Sequence, residues 1–269
     1  MAKHRRRDRR FRFALAAVIA AAASVPVVAA AMPSTSARPD IVGGTEASVR
    51  DYPYAVFLTD KSGNQFCGGV IVSPTAVATA AHCAKAVART DLRVVAGRQD
   101  KRTNDGKVVS VRDVWIPSSF SDPGKGDDVA VLKLSQSLPY RTVNLPGDDS
   151  LYAEGTKATV LGWGRTADGG ARSDVLRSAV VPVVSDDGCR SSYSNYDSRS
   201  MVCAGYPQGE IDACQGDSGG PLVVGDTLIG IVSWGDGCAR PGKPGVYTRV
   251  ITYADEIRSE ADPSRRVFW

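Results

Sequence analysis

The segment DACQGDSGGP at residues 212–221 places a serine, two aspartates and a cysteine among glycines and a proline. This glycine and proline content excludes a helix interior and predicts a loop. The Ser218 hydroxyl is a weak nucleophile that needs a base, most often histidine, to take its proton. Asp212 and Asp217 flank the serine, but no histidine lies near it in the sequence. If Ser218 acts as a nucleophile, its base must come from another part of the chain.

The chain has two histidines, and His4 lies in an N-terminal segment that we expect to be removed. His82, in VATAAHCAK, is therefore the candidate base. Such a site also needs a carboxylate that holds the imidazole in one tautomer. Asp127 and Asp128, which directly precede the apolar run VAVLKL, are two candidates. The alternatives are a packed or surface histidine and aspartates that serve only as turn residues.

The elements that must position these residues are predicted to be β-strands. Short apolar or alternating runs, separated by glycine, proline and small polar residues, fill the chain from Ile41 onward. Ten are predicted as strands: 54–58, 68–73, 92–97, 107–116, 129–134, 157–164, 175–184, 221–225, 227–234 and 245–250. Regular spacing of this kind indicates an all-β sandwich or barrel. One long helix is predicted, at 253–261, and the turn-rich stretch 135–150 separates two β units of similar length.

The positive charge of the chain belongs to its N-terminus. Residues 1–40 contain eight Lys or Arg and two Asp, a net charge of +6, within a total of +4. The remainder has 33 − 8 = 25 basic and 29 − 2 = 27 acidic residues, a net charge of −2. This balance gives no indication of a nucleic-acid partner.

The N-terminal segment has the layout of a secretory signal peptide. A basic stretch precedes an alanine-rich apolar run at 13–32, which small and polar residues follow. We predict a signal peptide at 1–31, or ending at residue 37, a propeptide at 32–40, and a secreted, extracellular protein. The alternative is an uncleaved anchor, since about 20 apolar residues span a bilayer. Pro26 and the predominance of alanine over leucine argue against it, and Arg9-Arg10 fits a twin-arginine signal only loosely.

Six cysteines follow the predicted signal: Cys67, Cys83, Cys189, Cys203, Cys214 and Cys238. An even number in an exported protein indicates three disulfides, but six cysteines allow 15 pairings. Free thiols or a metal site are the alternatives. Structural zinc is disfavoured because the mature part has no C-x-x-C pair and one histidine. We predict no metal and no cofactor.

The motifs TAAHC, DDVAVLKL and GDSGGP, in that order, resemble those of the trypsin-like serine proteases of the chymotrypsin family, most of all secreted bacterial trypsins. The order His, Asp, Ser differs from that of α/β-hydrolases and subtilisins. The resemblance extends from IVGG at Ile41 to about Ile257. It implies two six-stranded antiparallel β-barrels packed with the active site between them, plus a C-terminal helix. The peptidase domain is expected at 41–269, with barrels at about 41–140 and 141–252 and the helix and tail at 253–269.

The resemblance also implies a role for each candidate residue. His82 matches the general base, Ser218 the nucleophile, and Asp128, rather than Asp127, the orienting carboxylate. The backbone N–H groups of Gly216 and Ser218 match the oxyanion hole. The implied disulfides are Cys67–Cys83, Cys189–Cys203 and Cys214–Cys238.

Asp212 matches the carboxylate at the base of the family's primary specificity pocket, which takes an Arg or Lys side chain. Ala213 stands where many trypsins have serine. The missing hydroxyl predicts a preference for Arg over Lys, because a guanidinium can bind the carboxylate through two parallel hydrogen bonds. The other residues matching the pocket and its supports are Gln215, Ser233, Trp234, Gly235, Gly245, Tyr193 and Tyr247.

Asp217 matches the residue that pairs with a new N-terminal ammonium at Ile41 after cleavage of a zymogen. Here Asp40 stands where trypsinogens carry a basic residue, and Arg38 precedes a proline. We therefore expect another protease, or trimming by a peptidase, to expose Ile41. The alternative is a different mature N-terminus, which would put the pair with Asp217 in doubt.

The expected function is a secreted endopeptidase that cleaves after Arg or Lys through an acyl-enzyme. Its partners would be protein or peptide substrates and protein inhibitors, with no nucleic acid and no membrane after signal removal. A monomer is expected. Two alternatives remain open: a non-catalytic binding protein on the same scaffold, and a protease with one narrow target.

Overall fold

The computed structural model describes residues 41–262. The predicted signal peptide, the predicted propeptide and the tail at 263–269 lie outside the described residues. Within 41–262, no helix has the length and apolar character needed to cross a bilayer.

The first barrel is a closed antiparallel sheet of six strands. In their order around the barrel they are β2 (Ala55–Thr59), β3 (Gln65–Ser73), β4 (Ala76–Thr79), β7 (Ala130–Leu134), β6 (Lys107–Trp115) and β5 (Arg93–Ala96). All five positions of β2 and all four positions of β4 are buried, so both faces of these strands are covered. One further short strand, β1 (Thr45–Glu46), precedes these six in the chain.

The second barrel has six antiparallel strands: β8 (Lys157–Gly162), β9 (Arg177–Val184), β10 (Met201–Ala204), β11 (Pro221–Val224), β12 (Thr227–Trp234) and β13 (Gly245–Arg249). Their order is β9-β10-β13-β12-β11-β8, and pairing of β8 with β9 closes the barrel. The short β1 precedes the first barrel in sequence but pairs with β9 of the second. The start of the described chain is thus attached to the second barrel.

Three α-helices complete the fold: α1 (Ala81–Ala84), α2 (Asp186–Ser192) and α3 (Ala254–Ala261). Single 3₁₀ turns lie at Pro123–Lys125, Asp149–Tyr152 and Val250–Tyr253. The predicted C-terminal helix is confirmed as α3. Ile257 of α3 is fully buried in the core cluster of the first barrel, and Glu260 pairs with Lys133 of β7 at 2.7 Å. The chain therefore leaves the second barrel and closes against the first.

The ten predicted strands and the two-barrel fold are confirmed, whereas β1, β4, β10, α1 and α2 were not predicted. β4 (AVAT) and β10 (MVCA) have four residues each, too few for an alternating pattern to appear. They are strands because neighbours on both sides supply hydrogen-bonding partners. α2 begins with the Ser185 hydroxyl, which accepts a hydrogen bond from the Gly188 N–H as an N-cap.

The two barrels share one apolar core cluster. Trp163, directly after β8, lies edge-to-face against Phe57 of β2, with ring centroids 5.0 Å apart. Leu161 and Ile231 of the second barrel belong to the same buried cluster as the strands of the first. Burial of aromatic and aliphatic surface between the barrels fixes their relative position, and so the cleft between them.

Replacing Leu132 by alanine is expected to lower the free energy of unfolding by about 2–5 kcal/mol, because it opens a cavity in the first core. Leu132 lies on β7 and is fully buried. Val108→Ala is the matched control, since Val108 lies on β6 and is 54% exposed. The free energy of unfolding of the Val108→Ala variant is expected to fall by no more than about 0.5 kcal/mol. Urea titration followed by circular dichroism measures both, and equal losses would contradict this account of the core.

Candidate active site

His82 lies in α1, a single helical turn that follows β4 directly. Cys83, the next residue, is disulfide-bonded to Cys67 on β3. The strand before the histidine and the disulfide after it fix the backbone on both sides of the imidazole. The His82 side chain is 29% exposed, so it remains accessible from the cleft.

Asp128, just before β7, is fully buried and oriented towards His82. One carboxylate oxygen accepts the His82 backbone N–H at 2.9 Å, and the other lies 2.8 Å from His82 Nδ1. Ser233 Oγ donates to that second oxygen at 2.6 Å. These donors offset the cost of burying a carboxylate. They also favour the tautomer with its proton on Nδ1, which leaves Nε2 free to accept one.

Asp127, the other candidate carboxylate, has a different environment. Its φ is +57°, in the left-handed region that aspartate tolerates better than most residues. Its Oδ1 accepts a hydrogen bond from Tyr253 Oη at 2.5 Å. Thr248 Oγ1 donates to the carbonyl of Asp128 at 2.6 Å. Of these two side chains, Asp128 is the one that contacts the imidazole.

Three hydroxyl residues of the second barrel thus hold the Asp127–Asp128 pair of the first. Sequence reasoning placed Ser233 in the pocket wall and did not single out Thr248 or Tyr253. The only available signal was a hydroxyl within an apolar run, which occurs in many strands. Each of these hydrogen bonds joins residues that are more than 100 positions apart in the sequence.

Ser218 lies in a tight turn between the barrels. Its carbonyl accepts a hydrogen bond from the Gly68 N–H of β3 at 2.7 Å. The sulfur of Cys83 lies 3.4 Å from that carbonyl and 3.5 Å from His82 Nε2, so the serine and the imidazole adjoin the same atom. Gly68 must be glycine, because a Cβ there would lie 2.9 Å from the Cα of Gly220.

Gly216, two residues before the serine, has a φ of +101° that favours glycine. The Gln215 carbonyl accepts the Arg165 backbone N–H at 2.9 Å. In a trans peptide the N–H points away from the carbonyl, so the Gly216 N–H is turned away from Arg165. Within residues 41–262, neither this N–H nor that of Ser218 donates to a protein acceptor. Two backbone donors beside a serine can stabilise an oxyanion.

A cavity of about 190 Å³ opens beside Ser218. All seven residues expected to form the specificity pocket line it: Asp212, Ala213, Gln215, Ser233, Trp234, Gly235 and Gly245. Val232, Gly237, Val246, Tyr247 and the Cys214–Cys238 disulfide complete the lining; of these, Val232, Gly237 and Val246 were not assigned there from sequence. The cavity thus brings one carboxylate, that of Asp212, close to Ser218.

Asp212 lines this cavity and is 4% exposed. Its Oδ2 accepts the Ala239 N–H at 3.2 Å, but its Oδ1 has no hydrogen-bond partner in the described part of the chain. Burial raises the pKa of Asp212 to about 7. A cation in the cavity would satisfy the free oxygen and lower that pKa again.

The cavity walls are shaped by small residues and one aromatic pair. A Cβ at Gly245 would lie 2.6 Å from Asp212 Oδ1, so a larger residue there would obstruct the carboxylate. Trp234 lies edge-to-face against Tyr193, with centroids 4.8 Å apart. Tyr193 Oη donates to the Pro244 carbonyl at 2.8 Å, which ties this pair to the segment before Gly245.

Asp217 is fully buried directly before Ser218. Its Oδ1 accepts the Gly164 N–H at 2.7 Å and its Oδ2 the Cys214 N–H at 3.0 Å. Burial raises the pKa of Asp217 to about 6, against the effect of these hydrogen bonds. Among residues 41–262, no cationic side chain forms an ion pair with this carboxylate. A cation placed beside Asp217 would therefore stabilise its charged form.

The IVGG segment packs against the floor of the cavity. Ile41 is fully buried in the core cluster of the second barrel, and the Asp212 N–H donates to the Val42 carbonyl at 3.1 Å. A Cβ at Gly43 would lie 2.6 Å from Cγ1 of Ile211, so the close approach requires glycine. Ile41 has a φ of +49°, which is strained for a β-branched residue.

The six cysteines form three disulfides: Cys67–Cys83, Cys189–Cys203 and Cys214–Cys238. The sulfurs of Cys67 and Cys83 and a ring nitrogen of His82 lie within 4.8 Å of one another, an arrangement that could suggest a metal site. The sulfurs are bonded to each other, however, and provide no thiolate ligands.

Most of this chain is similar to proteins of one known family. The family model described as Trypsin matches residues 41–257. A trypsin from Saccharopolyspora erythraea is 49% identical over 221 residues, covering 82% of this chain and 97% of that protein. Trypsin-1 from Astacus astacus is 41% identical over 240 residues, 82% of this chain and all of that protein (100%). Trypsin 5G1 from Aedes aegypti is 40% identical over 224 residues, 81% and 84% respectively.

The matches extend over both barrels and include every residue of the cleft described above. The family expected from the TAAHC, DDVAVLKL and GDSGGP motifs is confirmed. The chain belongs to the trypsin family and is a trypsin-like serine endopeptidase.

Proposed function

We propose that this endopeptidase is secreted, cleaves after Arg in preference to Lys, and is made as a zymogen activated by exposure of Ile41. The observation that carries the substrate assignment is the unpartnered oxygen of Asp212, a buried lining residue of the cavity beside Ser218. A buried carboxylate with one free oxygen favours a long cationic side chain, because a cation supplies both hydrogen-bond donors and the opposite charge.

His82, Asp128 and Ser218 carry the reaction in this proposal. Ser218 Oγ attacks the scissile carbonyl while His82 Nε2 takes the hydroxyl proton. The oxyanion accepts hydrogen bonds from the N–H groups of Gly216 and Ser218. The imidazolium, stabilised by Asp128, gives its proton to the departing amine, and an acyl-enzyme remains. Water then attacks the ester by the same route and releases the acid.

The preference for Arg follows from the floor of the cavity. A guanidinium presents two parallel N–H donors that match the two oxygens of Asp212. The shorter ammonium of lysine needs further acceptors to satisfy its donors, and the Ala213 side chain offers none.

The activation proposal rests on Asp217 and Ile41. Asp217 is a buried carboxylate adjacent to Ser218 and Gly216, the residues that form the oxyanion site. Cleavage before Ile41 would create an ammonium able to pair with it. Cleavage would also remove the peptide bond that defines the strained φ of Ile41. Burial of the new terminus would thereby order the cavity floor through the Val42–Asp212 contact.

Secretion is proposed from the signal layout at residues 1–31, or 1–37, with 32–40 as propeptide. Three disulfides support an oxidising compartment. We propose a monomer that meets protein substrates and protein inhibitors at the cleft.

Asp128→Asn is expected to lower kcat about 10⁴-fold with KM little changed, the loss typical of this class of enzyme. The amide cannot hold the imidazole in the required tautomer. Asp127→Asn is the matched control, since asparagine tolerates the left-handed φ and this side chain faces Tyr253. Steady-state kinetics on an Arg-ended chromogenic peptide should show the large loss for residue 128 alone; similar losses at both positions would contradict the assignment.

Matched peptides ending in Arg, Lys or Phe are expected to rank in that order by kcat/KM, with Phe negligible. Ala213→Ser should raise the Lys value by about fivefold relative to Arg, because a hydroxyl adds one hydrogen bond worth about 1 kcal/mol. Asp212→Ser should abolish the preference for both cations. Equal Arg and Lys values in the unchanged enzyme would refute the preference.

The purified proform is expected to stay inactive when mixed with its own active enzyme, because Asp40 does not fit the cavity. Asp40→Arg should let the enzyme activate its own precursor. N-terminal sequencing over time measures the appearance of Ile41. Rapid release of an Ile41 terminus from the unchanged proform would rule out a separate activator.

A further inference from the structure

The part of the cleft formed by Gln65, the Cys67–Cys83 disulfide and Gly216 is here called the leaving-group side. His82, which protonates the departing amine in the proposed mechanism, adjoins the Cys67–Cys83 disulfide. Gln65 lies two residues before Cys67, and its Nε2 donates to the Cys67 and Gly216 carbonyls at 3.3 and 2.9 Å. Chain that follows the scissile bond must leave across this region, because the cavity holds the residue before the bond.

Arg172 lies on this side, against the oxyanion glycine. Its Nη1 donates to the Gln65 carbonyl at 2.6 Å, and a Cβ at Gly216 would lie 3.0 Å from its Nε. Arg172 is exposed, and it ends a hairpin, residues 165–172, that begins with Arg165. The arginine is therefore held by its contacts rather than extended freely into solvent.

Lys101 adds a second cation next to Arg172. Its Nζ lies 3.4 Å from Gln65 Oε1 and 3.5 Å from the Trp163 carbonyl, both neutral acceptors. Burial lowers the pKa of Lys101 and the positive charge of Arg172 lowers it further, while the negative charges of Asp174, Asp217 and Asp100 raise it. Two cations that repel each other and contact neutral groups form a site that an anion would stabilise.

The nearby carboxylates are engaged elsewhere. Asp100 and Asp174 pair with Arg102 at 2.6 and 3.4 Å, and Asp168 of the hairpin pairs with Arg240 at 3.0 Å. Asp217 interacts electrostatically with both cations but is buried and is assigned above to the Ile41 ammonium. In the described part of the chain, Arg172 and Lys101 thus have no carboxylate in ion-pair contact.

We propose that Arg172, supported by Lys101, forms a cationic subsite selecting substrates that carry Asp or Glu within the first three residues after the cut. This inference rests on the proposed function, since it concerns the same cleft. An extended chain advances about 3.3–3.6 Å per residue, so three residues span the contacts from Gly216 to Lys101. The subsite makes the enzyme read both sides of the bond: a cation before it and an anion after it.

The test uses active enzyme expressed from the full chain and internally quenched peptides that share one Arg before the cut. The first, second or third residue after the cut is Asp, Ala or Lys in turn, and chromatography of the fragments counts only the cut after Arg, since Lys adds a second cleavable bond. We expect kcat/KM to be about threefold to tenfold higher for Asp than for Ala at one of these positions, and lower for Lys, as for a partly exposed ion pair. The ratio should shrink towards one near 1 M salt, where screening acts over about 3 Å.

Arg172→Gln should reduce the Asp-to-Ala ratio, and Arg172→Glu should invert it. A ratio measured within each variant cancels any general loss of activity. Arg141→Gln is the matched control: it removes one exposed arginine that pairs with Asp226 away from the cleft, and its ratio should equal that of the unchanged enzyme.

Cleavage after Arg at equal rates for Asp, Ala and Lys would overturn the subsite and leave the proposed function intact. An Asp preference that persists in Arg172→Glu would also overturn it. Failure to cleave any Arg peptide would overturn the proposed function and this inference together.

Discussion

The burial of Asp128 is the constraint on which the rest of the structure depends. A carboxyl group with no access to water needs hydrogen-bond partners from the protein, and here they come from both barrels. His82 supplies two nitrogens from the first barrel, and Ser233 supplies a hydroxyl from the second. The barrels can therefore satisfy this group in one relative position. Because Trp234 follows Ser233 directly, the same position also sets one wall of the cavity that Asp212 lines.

Three buried carboxylates lie in this cleft, and each is satisfied to a different degree. Asp128 has donors on both oxygens. Asp217 has two backbone donors, and its raised pKa indicates that these do not fully offset burial. Asp212 has one free oxygen and a pKa raised further, to about 7. This order matches the proposed roles. Asp128 positions His82 permanently, Asp217 gains a partner when activation exposes the Ile41 ammonium, and Asp212 gains one when a cationic substrate binds.

Much of the fold was predictable because barrel strands carry their burial pattern in their own residues, as VAVLKL does at β7. β4 and β10 were missed because four residues cannot show a period, and they are strands only by virtue of their neighbours. In the cleft, the residues of TAAHC and GDSGGP were recognisable as motifs. Thr248 and Tyr253 were not, because a hydroxyl in a strand or turn carries no local sign of a partner 120 positions away.

The sequence by itself determined which groups could do chemistry: one usable histidine, one serine in a glycine-rich loop, and aspartates beside them. It also determined the family, since several specific motifs occur in one order. Tertiary structure decided which aspartate does what. Asp127 and Asp128 are adjacent and chemically identical, yet a left-handed φ turns one towards Tyr253 while the other faces His82. Tertiary structure alone also brought Arg172 against Gly216. Contacts of this kind depend on how two barrels pack, because long-range packing, unlike periodicity, leaves no mark on neighbouring residues.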